Sequence, residues 1–250
     1  MTLTLDIPDE VVTALADPDS YVVVSTGAGV SAESGVPTFR SAGGLWKTYR
    51  AESLATPEAF SQHPHVVWEW YEYRRGLIRE VEPNPGHYEL ARWEKHFSKF
   101  TLITQNVDGL HRRAGSSEPI ELHGNIMLTR CHECGEFADV TAPGAGDDIP
   151  QCPCGGLYRP AVVWFGEMLP RAALDAAWAA AAQAEVYLSV GTSGVVQPAA
   201  SLVQIARQNG AYVIEVNPEP TGVSYMCDAC VRLPSGIALP AIGRRIGVAE

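Results

Sequence analysis

No stretch of this chain of 250 residues approaches the roughly 18 to 20 uninterrupted apolar residues that a membrane-spanning helix needs. The opening Met1-Thr2-Leu3-Thr4-Leu5-Asp6 lacks the basic region that starts an export signal, so a soluble, cytoplasmic protein is expected. Basic residues are scarce and form no runs. With 18 Lys and Arg against 29 Asp and Glu, the formal charge is -11, which argues against nucleic-acid binding through phosphates and makes basic protein surfaces the easier partners. Internal repeats and low-complexity tracts are absent too, which excludes stacked-repeat architectures and long disordered arms. What the chain does have is 46% hydrophobic residues, enough for a sizeable core in one large domain or two.

Short β-branched runs supply that core. Tyr21 to Ser25, Phe100 to Thr104, Val186 to Val190 and Tyr212 to Val216 read as buried parallel strands, each followed by polar or glycine-containing sequence and not by a hairpin turn. Helical stretches lie between them: Arg171 to Ala184 is rich in Ala, and Pro198 to Asn209 opens on a proline in first-turn position and stops at Gly210. The alternation predicts an α/β fold. In open sheets of this kind ligands gather beyond the carboxyl ends of the strands. The segments there are Gly27-Ala28-Gly29, Gln105-Asn106-Val107-Asp108, Gly191-Thr192-Ser193 and Asn217-Pro218-Glu219, and all four are small or polar.

A buried strand running into paired glycines lets backbone N–H groups approach a pyrophosphate, with the N-terminus of the next helix adding a favourable dipole. A nucleotide ligand is expected there, although Gly-x-Gly alone also marks ordinary tight turns. Two stretches break the alternation. Residues 41–81 carry Trp46, Tyr49, Phe60, Trp68, Trp70, Tyr71 and Tyr73 at mixed helical spacing, which predicts a helical insertion; residues 127–159 bear cysteines and a turn-rich loop.

Cysteines in close pairs, in a chain without an export signal, point to metal ligation more than to disulfides. Cys131-x2-Cys134, then seventeen residues, then Cys152-x-Cys154 offers four soft ligands, the set of a closed tetrahedral zinc site. Four thiolates leave no position for water, so such a metal holds the module together and does no chemistry. His132, between ligands, is expected to be exposed and not coordinating. Cys227 and Cys230 repeat the C-x2-C spacing without a second pair to join, and read as ordinary core residues.

Taken together, GAGVSAESGVPTFR at 27–40, TQNVDGLH at 104–111, the His123-Gly124 pair and the four-cysteine module resemble the sirtuin family, over about residues 20–240. The resemblance implies a Rossmann-like parallel sheet with helices on both faces, built from residues 1–40, 82–126 and 160–250. The helical insertion 41–81 and the zinc-binding module 127–159 then form a smaller domain. It implies NAD as a consumed cosubstrate; hydride transfer is disfavoured because the acidic residue expected about 20 residues beyond the glycine motif has no clear counterpart. It places Ala28, Arg40, Gln105, Asn106 and Asp108 around the nicotinamide and its ribose, and Gly191, Thr192, Ser193 and Asn217 toward the adenosine half. Gly27, Gly29, Phe39, Trp46, Val107, Pro218, Glu219 and Ser235 complete the cofactor set. His123 resembles the family's general base, drawing a proton from the ribose hydroxyls, a task suited to an imidazole with an ordinary pKa of about 6.5. Asn106 is expected to position a water or the ribose, and Asp108 the nicotinamide amide. Val162, Val163, Trp164, Phe165 and Gly166 resemble the stretch that pairs with substrate backbone and walls the lysine tunnel, which implies loose sequence preference.

Tyr71 and Arg74 stand three apart on a predicted helix, so a hydroxyl and a guanidinium share one face and can grip a carboxylate together. This spacing, with the small Ala51, resembles the sirtuins that remove succinyl and malonyl groups from lysine. The expected function is therefore an NAD-dependent protein-lysine deacylase acting on succinyl and malonyl, and more weakly on acetyl, lysine of proteins or peptides. A plain deacetylase, a mono-ADP-ribosyltransferase and a non-catalytic NAD-binding module stay open as alternatives, as does the oligomeric state.

Overall fold

The computed structural model describes residues 5–37, 50–138 and 148–248. In chain order the elements begin with α1 (Asp9–Ala16), β1 (Tyr21–Thr26), α2 (Ala28–Ala32), α3 (Ala51–Leu54), α4 (Pro57–Gln62), α5 (Pro64–Glu80) and α6 (Pro85–His96). There follow β2 (Lys99–Thr104), α7 (Leu110–Arg113), β3 (Ile120–Glu121), β4 (Gly124–Cys131), β5 (Phe137–Ala138) and β6 (Tyr158–Val162). The chain continues through α8 (Arg171–Gln183), β7 (Val186–Val190), α9 (Ser201–Gln208), β8 (Tyr212–Val216), β9 (Ala229–Val231) and α10 (Ser235–Ile246).

The central sheet has six strands in the order β3-β2-β1-β7-β8-β9, and every adjacent pair is parallel. Its two faces are covered by different helices. Val22 and Val24 of β1 join a core with Leu15 of α1, Trp93 of α6 and Leu239 of α10, while Tyr21 and Val23 join another with Ala177 of α8 and Leu202 of α9. Burial on both faces is why Tyr21 to Val24 of β1 is continuously apolar and does not alternate. Beyond β1 the chain builds outward through β2 and β3, and beyond β7 through β8 and β9 in the opposite direction, so the order reverses between β1 and β7. That reversal opens the crevice in which doubly wound folds bind ligands. Pro198 lies in the turn of residues 197–200, ahead of α9 and not in its first turn.

A second sheet, β5-β4-β6, is antiparallel. Phe60, Trp68, Trp70 and Tyr71 of the helical insertion share one core with Ile126, Cys131, Cys152, Tyr158 and Trp164, so the insertion and the cysteine module bury their apolar faces on each other. Arg75 fastens them. Pairing of β4 with β6 shifts between Asn125 and Thr129, and in that stretch Arg75 donates from Nε to the Ile126 carbonyl at 2.5 Å and from Nη2 to the Leu128 carbonyl at 2.9 Å. Only 2% exposed, this guanidinium is structural and not part of a solvated helix face. Among the described residues no helix is long and apolar enough to cross a membrane.

Candidate active site

The crevice is closed at its floor by glycine against glycine. Gly27 donates its amide to the Val190 carbonyl at 3.0 Å and Gly29 to the Gly191 carbonyl at 2.8 Å. A Cβ on Gly29 would lie 2.7 Å from the Gly191 oxygen, and Gly191 itself sits at φ +61. Both motif glycines are thus demanded by contact between two strand-end loops, and their amides, expected to face a pyrophosphate, are spent on that contact. Asn217 at the end of β8 adds to the same junction, donating from Nδ2 to the Thr192 carbonyl at 3.0 Å.

His123 hangs from this junction. Gln105 donates its amide to the Thr26 carbonyl at 3.0 Å and its side-chain Nε2 to Thr192 Oγ1 at 3.2 Å, and its own carbonyl lies 2.9 Å from His123 Nδ1. A carbonyl can only accept, so Nδ1 carries the hydrogen and Nε2 keeps its lone pair in the neutral ring. Burial holds the imidazole below its ordinary pKa, opposed by the Gln105 bond. The glycine after it is required: Gly124 has φ +75, and a Cβ there would collide with the Ala161 carbonyl oxygen of β6.

Asn106 and Asp108 belong to a buried polar network that the sequence reading did not contain. Ser31 of α2 donates to Asp108 Oδ2 at 2.7 Å and accepts from Asn106 Nδ2 at 3.1 Å, with His87 Nε2 at 3.4 Å. Asn84 donates its amide to His87 Nδ1 at 3.3 Å, which leaves the hydrogen on His87 Nε2 to point at Ser31. His111 stands 4.8 Å from His87, ring to ring, and meets Thr26 Oγ1 at 2.9 Å. Desolvation pushes His87 down to about 4 and His111 to about 3, so both are neutral. Desolvation raises Asp108, against the Leu110 amide, Ser31 and the charges of Arg74 and Arg113.

On the other wall, Tyr71 is 2% exposed and accepts a hydrogen bond from Trp164 Nε1 at 2.8 Å. Burial pushes its hydroxyl up to about 12, partly offset by Arg74 and Trp164. Arg74 is half-buried, its Cζ 5.1 Å from the Trp70 ring centroid and 5.7 Å from that of Tyr71; burial lowers its pKa, against the pull of Tyr71 and Asp108. The stretch 162–166 is anchored at three consecutive amides: Val163 to the His123 carbonyl at 2.9 Å, Trp164 to Glu167 Oε2 at 2.7 Å and Phe165 to the Ala55 carbonyl at 2.9 Å.

The four module cysteines come together with all four sulfurs within 4.8 Å. Cys131 and Cys154 are 3.5 Å apart, Cys134 and Cys152 3.7 Å, too far for disulfides and close to the edge of about 3.8 Å of a tetrahedron with 2.3 Å Zn–S bonds. Gly135 and Gly155, both at positive φ, close the two knuckle turns. Side-chain space at Gly156 is taken up by Cys131 Sγ, 2.8 Å from where a Cβ would stand. His132 is half-buried against Phe60 and Trp164, not exposed as expected. Cys227 and Cys230 are half-buried and turn their sulfurs to the Val223 and Ser224 carbonyls.

Ala28 starts α2, and Val107 packs beside the core that Phe60, Trp68 and Trp164 share. The Ser193 carbonyl accepts from Gly222 at 3.3 Å, Pro218 and Glu219 are exposed, and Ser235 is buried with its hydroxyl 3.2 Å from Glu33 Oε2. Phe39, Arg40 and Trp46 lie outside the described residues, and of Ala51 only its place at the start of α3 is described.

Comparison with known proteins agrees with this geometry. Residues 27–198 match the Sir2 family. The chain is 56% identical over 209 residues to an NAD-dependent protein deacylase of Aquifex aeolicus, covering 83% of this chain and 87% of the relative. It is 50% identical over 233 residues to one of Thermococcus kodakarensis, covering 90% and 91%. A crystal structure of a Sir2 homolog–NAD complex superposes with a TM-score of 0.89 at 43% identity, covering 96% of this chain and 94% of that one. Sir2 bound to acetylated peptide gives 0.85 at 29% identity, covering 97% and 100%. This chain belongs to the Sir2 family.

Proposed function

We propose that this chain is an NAD-dependent protein-lysine deacylase that removes succinyl and malonyl groups, and acetyl more weakly, giving nicotinamide, O-acyl-ADP-ribose and free lysine. The observation that carries the reading is His123, with Nδ1 tied to the Gln105 carbonyl and Nε2 left as a base beside the glycine junction. Bound NAD supplies a glycosidic bond whose cleavage builds positive charge on the ribose carbon. Around it Asp108 contributes a carboxylate steadied by Ser31 and the Leu110 amide, and Asn106 is aligned by the same serine. His123 accepts a proton at Nε2 from a ribose hydroxyl, and Gln105, by holding Nδ1, keeps the ring aimed as the charge arrives.

For the acyl group, a phenol and a guanidinium one helical turn apart suit a carboxylate, which gives Arg74 a charge-assisted bond that acetyl does not. The four cysteines fit one structural zinc ion per chain. The test is a kinetic panel of matched acetyl, malonyl and succinyl peptides with NAD, on the parent and on Arg74→Met. Succinyl and malonyl peptides are expected to exceed acetyl in kcat/KM. Arg74→Met should lower the succinyl value about 10- to 100-fold more than the acetyl value, the worth of a hydrogen bond to a charged group. Equal losses on both would leave a plain deacetylase. ADP-ribose attached to protein in the mass spectrum would indicate an ADP-ribosyltransferase, and no nicotinamide release with acyl peptide a binding module.

A further inference from the structure

We propose that Trp164 is a positioning residue for acyl recognition, acting through the phenol of Tyr71. The inference rests on the acyl preference proposed above and deepens it. Tyr71 is too buried to draw on bulk water, and its oxygen accepts the indole N–H of Trp164 at 2.8 Å. A phenol has one hydrogen to give; with its accepting side filled by the indole, that hydrogen is directed away from Trp164. Burial keeps the hydroxyl protonated, so it remains a donor across the working pH range. Arg74, on the same helix, lies over the Tyr71 ring, which brings two cooperating donors to one acyl end.

What makes the indole a fixed pointer is a closed loop of contacts over residues 159–167. Arg159, 1% exposed, covers the Trp164 ring with its Cζ 3.1 Å from the centroid. Its Nη1 and Nη2 donate to Glu167 Oε1 at 2.6 Å and Oε2 at 3.0 Å, and Nη2 also reaches the Val162 carbonyl at 2.6 Å. Glu167 Oε2 in turn accepts the Trp164 backbone N–H at 2.7 Å. Phe60 and His132 flank the ring at 5.3 and 6.1 Å between centroids. A side chain held at its backbone, its face and its edge does not exchange rotamers, so the N–H is aimed. Phenylalanine in the same place would keep an aromatic ring there and orient nothing.

The experiment uses the zinc-loaded full chain with Trp164→Phe and, because that ring is smaller, a second protein with β-(3-benzothienyl)alanine at 164, which keeps the indole outline without its N–H. Both are assayed with matched succinyl and acetyl peptides at saturating NAD. The succinyl-to-acetyl ratio of kcat/KM is expected to fall about tenfold, through the KM of the succinyl peptide, with the benzothienyl protein near the parent in zinc content and thermal midpoint. Tyr71→Phe should give a similar ratio, and the Trp164→Phe, Tyr71→Phe double variant no further fall, because both remove one interaction. Equal losses on the two peptides, or an unchanged ratio where Tyr71→Phe lowers it, would overturn the assignment. If neither Tyr71→Phe nor Arg74→Met moves the ratio, the acyl preference itself fails and the role of Trp164 falls with it.

Discussion

Gly29→Ala is the most direct probe of the junction beneath the site. The added Cβ would stand 2.7 Å from the Gly191 oxygen and 2.8 Å from its Cα, whereas ordinary contact begins at 3.4 Å, so the two loops must part by more than half an ångström. Neither can yield through a rotamer, because every atom in the clash is backbone. Overpacking of this kind costs about 1–3 kcal/mol, and the stretched amide bond from Gly29 to Gly191 adds about 1 kcal/mol. A loss of about 2–4 kcal/mol in urea unfolding, at unchanged denaturant slope, is therefore expected. The displaced Thr192 would carry Gln105 with it, so the KM for NAD should rise as well. Gly76→Ala is the matched control: within α5, nothing lies within 4 Å of its added methyl, and the same change should stabilise by about 0.5–1 kcal/mol. A Gly29→Ala protein within about 0.5 kcal/mol of the parent would refute the argument that loop packing, and not ligand approach alone, selects these glycines.

Replacing His123 with Ala should abolish deacylation of every acyl peptide while nucleotide still binds, as read by nicotinamide release and calorimetry. Since burial holds this imidazole below its ordinary value, the neutral base persists into mildly acidic solution, and the acid limb of kcat should fall below about pH 6.5; a limb above that would contradict the buried geometry. His87 and His111 are neutral in the fold and protonate near 6.5 when unfolded, so the unfolded state binds more protons in acid. Stability from this pair is then complete above about pH 6.5 and declines as pH drops toward 3, by several kcal/mol in all. His87→Gln should flatten that decline in pH-dependent urea unfolding. Removing zinc with a chelator, or changing Cys131 to Ser, should release one metal per chain and weaken the near-ultraviolet tryptophan signal, because Trp68, Trp70 and Trp164 share their core with two of the cysteines.

The sheet was readable because its strands are buried on both faces. Tyr21 to Val24 has no polar residue to confuse the period, and β7 has the same bounds in sequence and structure, Val186 to Val190. Elements with weaker local signals went unread. β9 is three residues long and is a strand only because β8 lies beside it. Yet α6 announces itself: Asn84 accepts from the Gly86 amide ahead of Pro85 in the first turn, an N-cap written in the order Asn-Pro-Gly-His.

At the site, the motifs at the strand ends were legible and the groups that hold them were not, for a reason that lies in the sheet. Ser31 lies 75 residues from Asn106 and 56 from His87 along the chain, and the parallel pairing of β1 with β2 sets the loops that follow those strands side by side. Within α2, Ser31 follows two residues after Gly29, a position any surface serine might occupy by local criteria; its burial to 1% exposure comes from α6 closing over it. Three polar side chains sealed from water must satisfy one another, so their geometry is fixed jointly: the Asn84 amide on His87 Nδ1 leaves the hydrogen on Nε2, and the hydroxyl of Ser31 gives its own hydrogen to Asp108. A sequence lists such residues as separate, unremarkable letters, and it is the requirement that each buried donor find an acceptor that turns them into one device.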